Sequence, residues 1–111
     1  MPATEFKATR AIPRFSFVAE AEVTWPENRT QVLARISELS ARGCYVDTVN
    51  PFPMETELHL LIRYGCSTCE LDGKVIYTHS GYGMGVLFED IPQTHLTTLN
   101  AWLDELARKS N

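Results

Sequence analysis

Long hydrophobic runs are missing from this 111-residue chain. Its apolar stretches are cut about every second residue by polar side chains, and none approaches the roughly 20 residues that a membrane-spanning helix needs. The first twenty residues hold no continuous apolar core of the kind a secretory leader requires. Basic charge is also in deficit, with 10 Lys and Arg against 14 Asp and Glu, a formal net charge of −4. That balance excludes a protein that coats a nucleic acid polymer, because counterion release needs a dense basic surface. Cysteine is scarce as well. Three thiols are an odd number and too few for a disulfide scaffold. The expectation is a cytoplasmic protein with no membrane insertion. What is present is ordinary for a folded chain, 44% hydrophobic and 22% charged, and the length suits a single domain with a modest core.

Period-two patterning fills most of the chain. Phe17, Ala19, Ala21, Val23 and Trp25 fall on one face and Glu20, Glu22 and Thr24 on the other, which is a half-buried strand. Pro26-Glu27-Asn28 reads as a turn, and Val32, Ala34 and Ile36 mark a second strand from about Thr30 to Glu38. Cys44–Asp47, a segment around Leu58, Leu60 and Ile62, Cys69–Thr78 and Tyr82–Glu89 supply four more. Gly65-Cys66-Ser67-Thr68 suits a hairpin connection, and Asp72-Gly73 a bulge or tight bend. The period then changes. Leu96, Leu99, Trp102, Leu103 and Leu106 form a helical stripe over about 92–109, with Pro92 in the first turn and Arg108 and Lys109 at the negative end of the dipole. Six short strands and one helix predict a mainly β fold, a small six-stranded antiparallel barrel with a C-terminal α-helix. Residues 1–16 read as a basic arm and 17–111 as the barrel and its helix.

The arm carries Arg10 and Arg14, four apart, with Pro13 between them holding the chain away from helix. A bent, extended strap is expected there, able to turn both guanidinium groups toward one anion. The second element is Glu38-Leu39-Ser40-Ala41-Arg42-Gly43. Glu38 and Ser40, two apart on a strand, project from the same face. Gly43 permits a positive φ or a close backbone approach.

These two segments resemble the RxxxR and (D/N)xSxxG motifs of the PilZ family, with glutamate in place of the family's aspartate or asparagine. Gly73-Lys74-Val75-Ile76-Tyr77 and Tyr82–Asp90 are similar to its fifth and sixth strands. The resemblance covers most of the chain and implies a split β-barrel that binds the bacterial second messenger cyclic di-GMP. It implies a single-domain member with no catalysis and no cofactor, which signals to a separate, unidentified protein partner. Carried over residue by residue, Arg10 and Arg14 would contact phosphate and guanine, Glu38 would take the guanine edge, Ser40 would reach phosphate, and Gly43 would keep the surface open. Arginine suits the first role because its planar fork matches phosphate or the guanine O6/N7 edge. A carboxylate can accept the guanine N–H groups. Ligand would fasten the arm to the barrel. Two departures stand out: Glu38 is one methylene longer than the family residue, and Thr9 occupies a position where many relatives have a further arginine. They favour an alternative, a degenerate PilZ-like adaptor that has lost the nucleotide and works by protein contacts in pilus or motility machinery.

Blander readings compete at each position. Arg10 and Arg14 could be a solvated arm, and Glu38 could pair with Arg35 or Arg42 on an exposed face. Cys66-Ser67-Thr68-Cys69 has the spacing of half a zinc site or a redox pair, yet it lacks a second CxxC and a helix start. Ser40, Cys44, Asp47 and His59 could assemble a catalytic cluster, although nothing in their spacing requires it, and His59 is expected on the outer face of the fourth strand. Gly81, Gly83 and Gly85 alternate with larger residues as strand glycines do and open no helix, unlike a phosphate loop. Trp25 is expected in the core and Trp102 on the packing face of the helix.

Overall fold

The structure, a computed structural model, describes residues 12–109. Arg10 and Thr9 lie outside the described residues. Alternating burial builds six strands: β1 (Arg14–Trp25), β2 (Thr30–Ser40), β3 (Gly43–Asp47), β4 (Glu57–Tyr64), β5 (Ser67–His79) and β6 (Gly83–Asp90). They close into a barrel in the order β1-β2-β3-β6-β5-β4, and every pairing is antiparallel. Closure leaves no free edge for another chain to extend. A 3-10 turn at Pro26–Asn28 joins β1 to β2. Gly65 (φ 62°) supplies the left-handed residue of the tight β4–β5 hairpin.

Alternate residues of each strand face inward. Phe17, Ala19, Ala21 and Val23 of β1 meet Ile36 and Leu39 of β2, Val46 of β3, Leu58, Leu60 and Ile62 of β4, Leu71 and Val75 of β5, and Met84 and Val86 of β6. Helix α1 (Gln93–Lys109) adds Leu99 and Trp102. Full burial of such a side chain contributes about 1.5–3 kcal/mol. The Trp102 ring sits 5.6 Å from Phe17 and edge-on to Tyr64 at 5.5 Å, so the helix seals onto an aromatic cluster. Its start is tied to β5 as well: the Glu70 amide donates to His95 Nδ1 at 3.0 Å, and the Cys69 thiol donates to the His95 carbonyl at 3.5 Å.

Three local details differ from the sequence reading. Tyr82 does not belong to the last strand, which begins at Gly83. It precedes β6 in a turn closed by its own amide on His79 O at 2.9 Å, and it is 77% exposed. Helix α1 starts one residue later than Pro92, whose carbonyl accepts from the His95 and Leu96 amides. Trp25 is half-buried at a strand end, packed on Phe52 at 5.2 Å, instead of lying in the core.

Two register shifts matter more. Ile36 pairs with Val46 and Glu38 with Tyr45, so Ser37 is an extra residue on β2. Val75 pairs with Val86 and Tyr77 with Gly85, so Ile76 is an extra residue on β5. An inserted residue reverses the phase of everything beyond it. Unbroken alternation from Ile36 would send Glu38 and Ser40 into the core. The bulge at Ser37 buries Leu39 instead and turns Glu38 and Ser40 outward.

Candidate functional site

The outward turn brings the two sequence motifs together. Antiparallel pairing sets Arg14 opposite Ser40 and Ser16 opposite Glu38. Arg14 is the first residue of β1, so it stands on the barrel wall. Its guanidinium NH1 lies 3.9 Å from Glu38 Oε1, with the two side chains 69% and 43% exposed. A surface contact of that kind contributes at most about 1 kcal/mol, which leaves it open to displacement by a ligand. Glu38 pairs with neither Arg35 nor Arg42. Arg35 is taken by Asp47 at 3.0 Å, and Ser37 Oγ donates to the same carboxylate at 2.8 Å.

Ser40 and Gly43 form the corner beside this pair. Ser40 Oγ accepts from the Arg42 amide and the Gly43 amide, both at 3.2 Å, and lies 3.3 Å from the Gly43 carbonyl as donor. The hydroxyl therefore holds the turn. Gly43 is required by its neighbour strand: a Cβ built there would stand 2.2 Å from the Val86 carbonyl oxygen. The requirement is close approach of β6, with no positive φ involved.

Around these residues lies a cavity of about 350 Å³, within the usual range for small-molecule sites. Arg14, Glu38 and Arg42 supply its charges. Leu39, Val86, Leu87, Ile12 and Ile76 supply apolar wall. Tyr77 lines it too, its ring lying over Gly85, where a Cβ would come within 2.3 Å of a ring carbon. Tyr45 and His79 extend this aromatic surface, with ring centroids 6.2 Å and 5.3 Å from Tyr77 and a 2.9 Å hydrogen bond between Tyr45 Oη and His79 Nδ1. Sequence reasoning missed Tyr77, Arg42 and Ile76. The signal for Tyr77 was the glycine at 85, which makes room for an aromatic ring on the neighbouring strand, but naming the ring requires the β5–β6 register.

Such a cavity can hold an anion with a planar heteroaromatic group attached: cations for the charge, a carboxylate for N–H donors, a tyrosine face and aliphatic walls for the ring. A second hollow, of about 850 Å³, is larger but wrong in sign for that ligand. Glu27, Glu55, Glu57, Asp72, Glu89 and Asp90 ring it.

Other constellations do not assemble. Among the described residues no group of three or more His, Cys, Asp or Glu side chains is arranged to hold a metal ion. Cys66 is exposed in the hairpin turn while Cys69 is buried, and no cysteine is bridged. Burial pushes the Cys69 thiol up to about 11, and burial together with nearby Cys69 pushes Cys44 up to about 12, which disfavours the thiolate of either in the free protein. His59 stands on the outer face of β4, bonded to Asp72 and Glu70. Ser40 and Asp47 are each engaged elsewhere, as described above. Among the described residues no helix is long and apolar enough to cross a membrane.

Comparison with known proteins agrees with this fold. No curated protein matches the chain by sequence. Among solved structures, the c-di-GMP-bound PilZ domain of YcgR from Escherichia coli superposes with a TM-score of 0.71 at 14% identity, over 89% of this chain and 92% of that one. The Klebsiella MrkH–c-di-GMP complex gives 0.73 at 16% identity, and the Bacillus subtilis inhibitor of motility MotI/DgrA gives 0.72 at 17%. Each is covered over 89% of this chain, which spans only 52% of MrkH and 50% of MotI/DgrA. At these identities the likeness establishes the fold. The profile of the PilZ domain matches residues 8–105, nearly the whole barrel with its helix, and the chain belongs to the PilZ domain family.

Proposed function

We infer that this protein is a cyclic di-GMP receptor, with Arg10, Arg14, Glu38, Ser40 and Gly43 as its ligand site, and that the bound nucleotide alters the surface offered to a separate protein partner in the cytoplasm. The observation that carries the reading is the meeting of Arg14 and Glu38 on one rim of the cavity, although 23 positions separate them and a bulge must intervene. Solved relatives hold c-di-GMP on the same fold, which supports the ligand's identity. Arg14 would fork onto phosphate or a guanine edge, and Glu38 would accept from guanine N1–H and N2–H₂. Ser40 and Gly43 would act by fixing the corner, since the hydroxyl is spent on backbone amides. Closing the arm over the ligand would change the exposed surface and so convey the signal. No chemical step is needed.

Calorimetric titration with cyclic di-GMP, with GTP and cyclic GMP as controls, is the test. Saturable heat with cyclic di-GMP alone is expected. Arg14→Ala should weaken it about tenfold or more while leaving the melting temperature of the unliganded protein unchanged, because the side chain is largely exposed. The adaptor reading, in which the nucleotide is lost, is favoured by Glu38 and Thr9, and the weak contact of Glu38 with Arg14 at 3.9 Å accords with it. Absence of heat at high ligand excess would establish that reading instead.

A further inference from the structure

We propose that Arg42 is a phosphate-binding residue of this site, replacing the positive charge that Glu38 withdraws from Arg14. The inference rests on the cyclic di-GMP reading above. Three charged side chains among the described residues line the cavity, Arg14, Glu38 and Arg42. Arg14 and Glu38 face each other at 3.9 Å and cancel to first order. Arg42 makes no ion pair among the described residues, so among those residues its charge is the uncompensated one at the cavity.

Its base is also fixed. The Arg42 amide donates to Ser40 Oγ at 3.2 Å and its carbonyl accepts from the Phe88 amide at 2.8 Å. With Gly43 seated against Val86, that turn has little freedom. An exposed, unpaired arginine on a mobile loop loses entropy when it binds, whereas one rising from a pinned backbone loses less. A cation without a carboxylate neighbour suits an anionic phosphodiester better than a neutral base. The longer Glu38 side chain and an arginine at 42 then become two halves of one arrangement: the carboxylate neutralises the first cation, and the turn supplies another.

The test is calorimetric titration of cyclic di-GMP into the wild-type chain and into Arg42→Ala, Arg42→Gln and Arg42→Lys, at low and high salt, with unliganded melting measured for each. Arg42→Ala and Arg42→Gln should bind about tenfold or more weakly, with unliganded melting unchanged. The deficit should shrink at high salt, as a contact between charges does. Arg42→Lys should recover most of the affinity, since a point charge satisfies phosphate where only the planar fork satisfies a guanine edge. Ala and Gln variants that bind within about twofold of wild type overturn the role of Arg42 and leave the ligand reading intact. A Lys variant as weak as the Ala variant overturns phosphate as the contact. A wild-type chain that gives no heat overturns the ligand reading and this inference with it.

Discussion

Gly43 carries a constraint that a motif alone does not explain. The space a side chain would need is filled by the Val86 carbonyl, an atom of β6 backbone that cannot swing aside. Gly43→Ala is therefore expected to cost about 1–3 kcal/mol as an overpacked site, measured by denaturant unfolding without ligand. A variant as stable as wild type would show that β3 and β6 can part at this point without loss. Ser40 has a similar character, since both amides of the corner depend on its oxygen. Glu38, Ser40 and Gly43 were visible as a trio in the sequence. Their division of labour was not, because the partners that settle it, Arg14, the turn amides and Val86, are contributed by three different segments.

Strands explain where the site can be. β2 and β5 each carry one extra residue, at Ser37 and Ile76, and the cavity lies beside both interruptions. Bulges re-aim side chains by shifting the phase of the strand beyond them while pairing continues. The outer face opposite is organised by charge instead. His59 of β4 bonds to Asp72 Oδ1 at 2.9 Å and lies 3.4 Å from Glu70 Oε2 across to β5. The hydrogen bond to Asp72 raises the His59 pKa, burial opposes that, and Glu70 adds to the rise. A folded pKa above the ordinary value of about 6.5 means stability that is fully present below about pH 6.5 and lost as pH climbs through the folded value. His59→Gln should therefore destabilise more at pH 6 than at pH 8, by no more than about 1 kcal/mol because the ring is partly exposed to screening solvent. Thermal unfolding of both proteins at the two pH values measures the difference; an equal deficit at both would remove the linkage. The outer position of His59 followed from alternation with Leu58 and Leu60. Its partners did not, since they depend on the β4–β5 register.

For the whole molecule, a closed barrel capped by a helix provides a rigid wall, and the ligand is expected to act on what lies beside it. Binding to the folded state alone must stabilise that state. At a cyclic di-GMP concentration about 100 times the dissociation constant, the gain is about 2.7 kcal/mol, which for a domain of this size raises the melting temperature by roughly 10 °C or more. Scanning fluorimetry with and without ligand reads this directly, and an unchanged melting temperature at that excess would contradict specific binding to the native fold. The acidic hollow lined by Glu27, Glu55, Glu57 and Glu89 should not contribute, because its charge repels the nucleotide.

The sequence by itself determined the strands, most of their inward residues, the helical stripe and the two motif segments, since periodicity and side-chain chemistry are local properties. It also pointed to Arg10, Arg14, Glu38, Ser40 and Gly43 as the candidate site. Only the tertiary structure decided that Glu38 and Ser40 face outward, because a bulge at Ser37 reverses a phase that simple alternation from Ile36 would have carried into the core. It alone decided that Tyr77 and Arg42 share their cavity. Those outcomes depend on which strand lies beside which and in what register, and register is fixed by packing of segments distant in the chain.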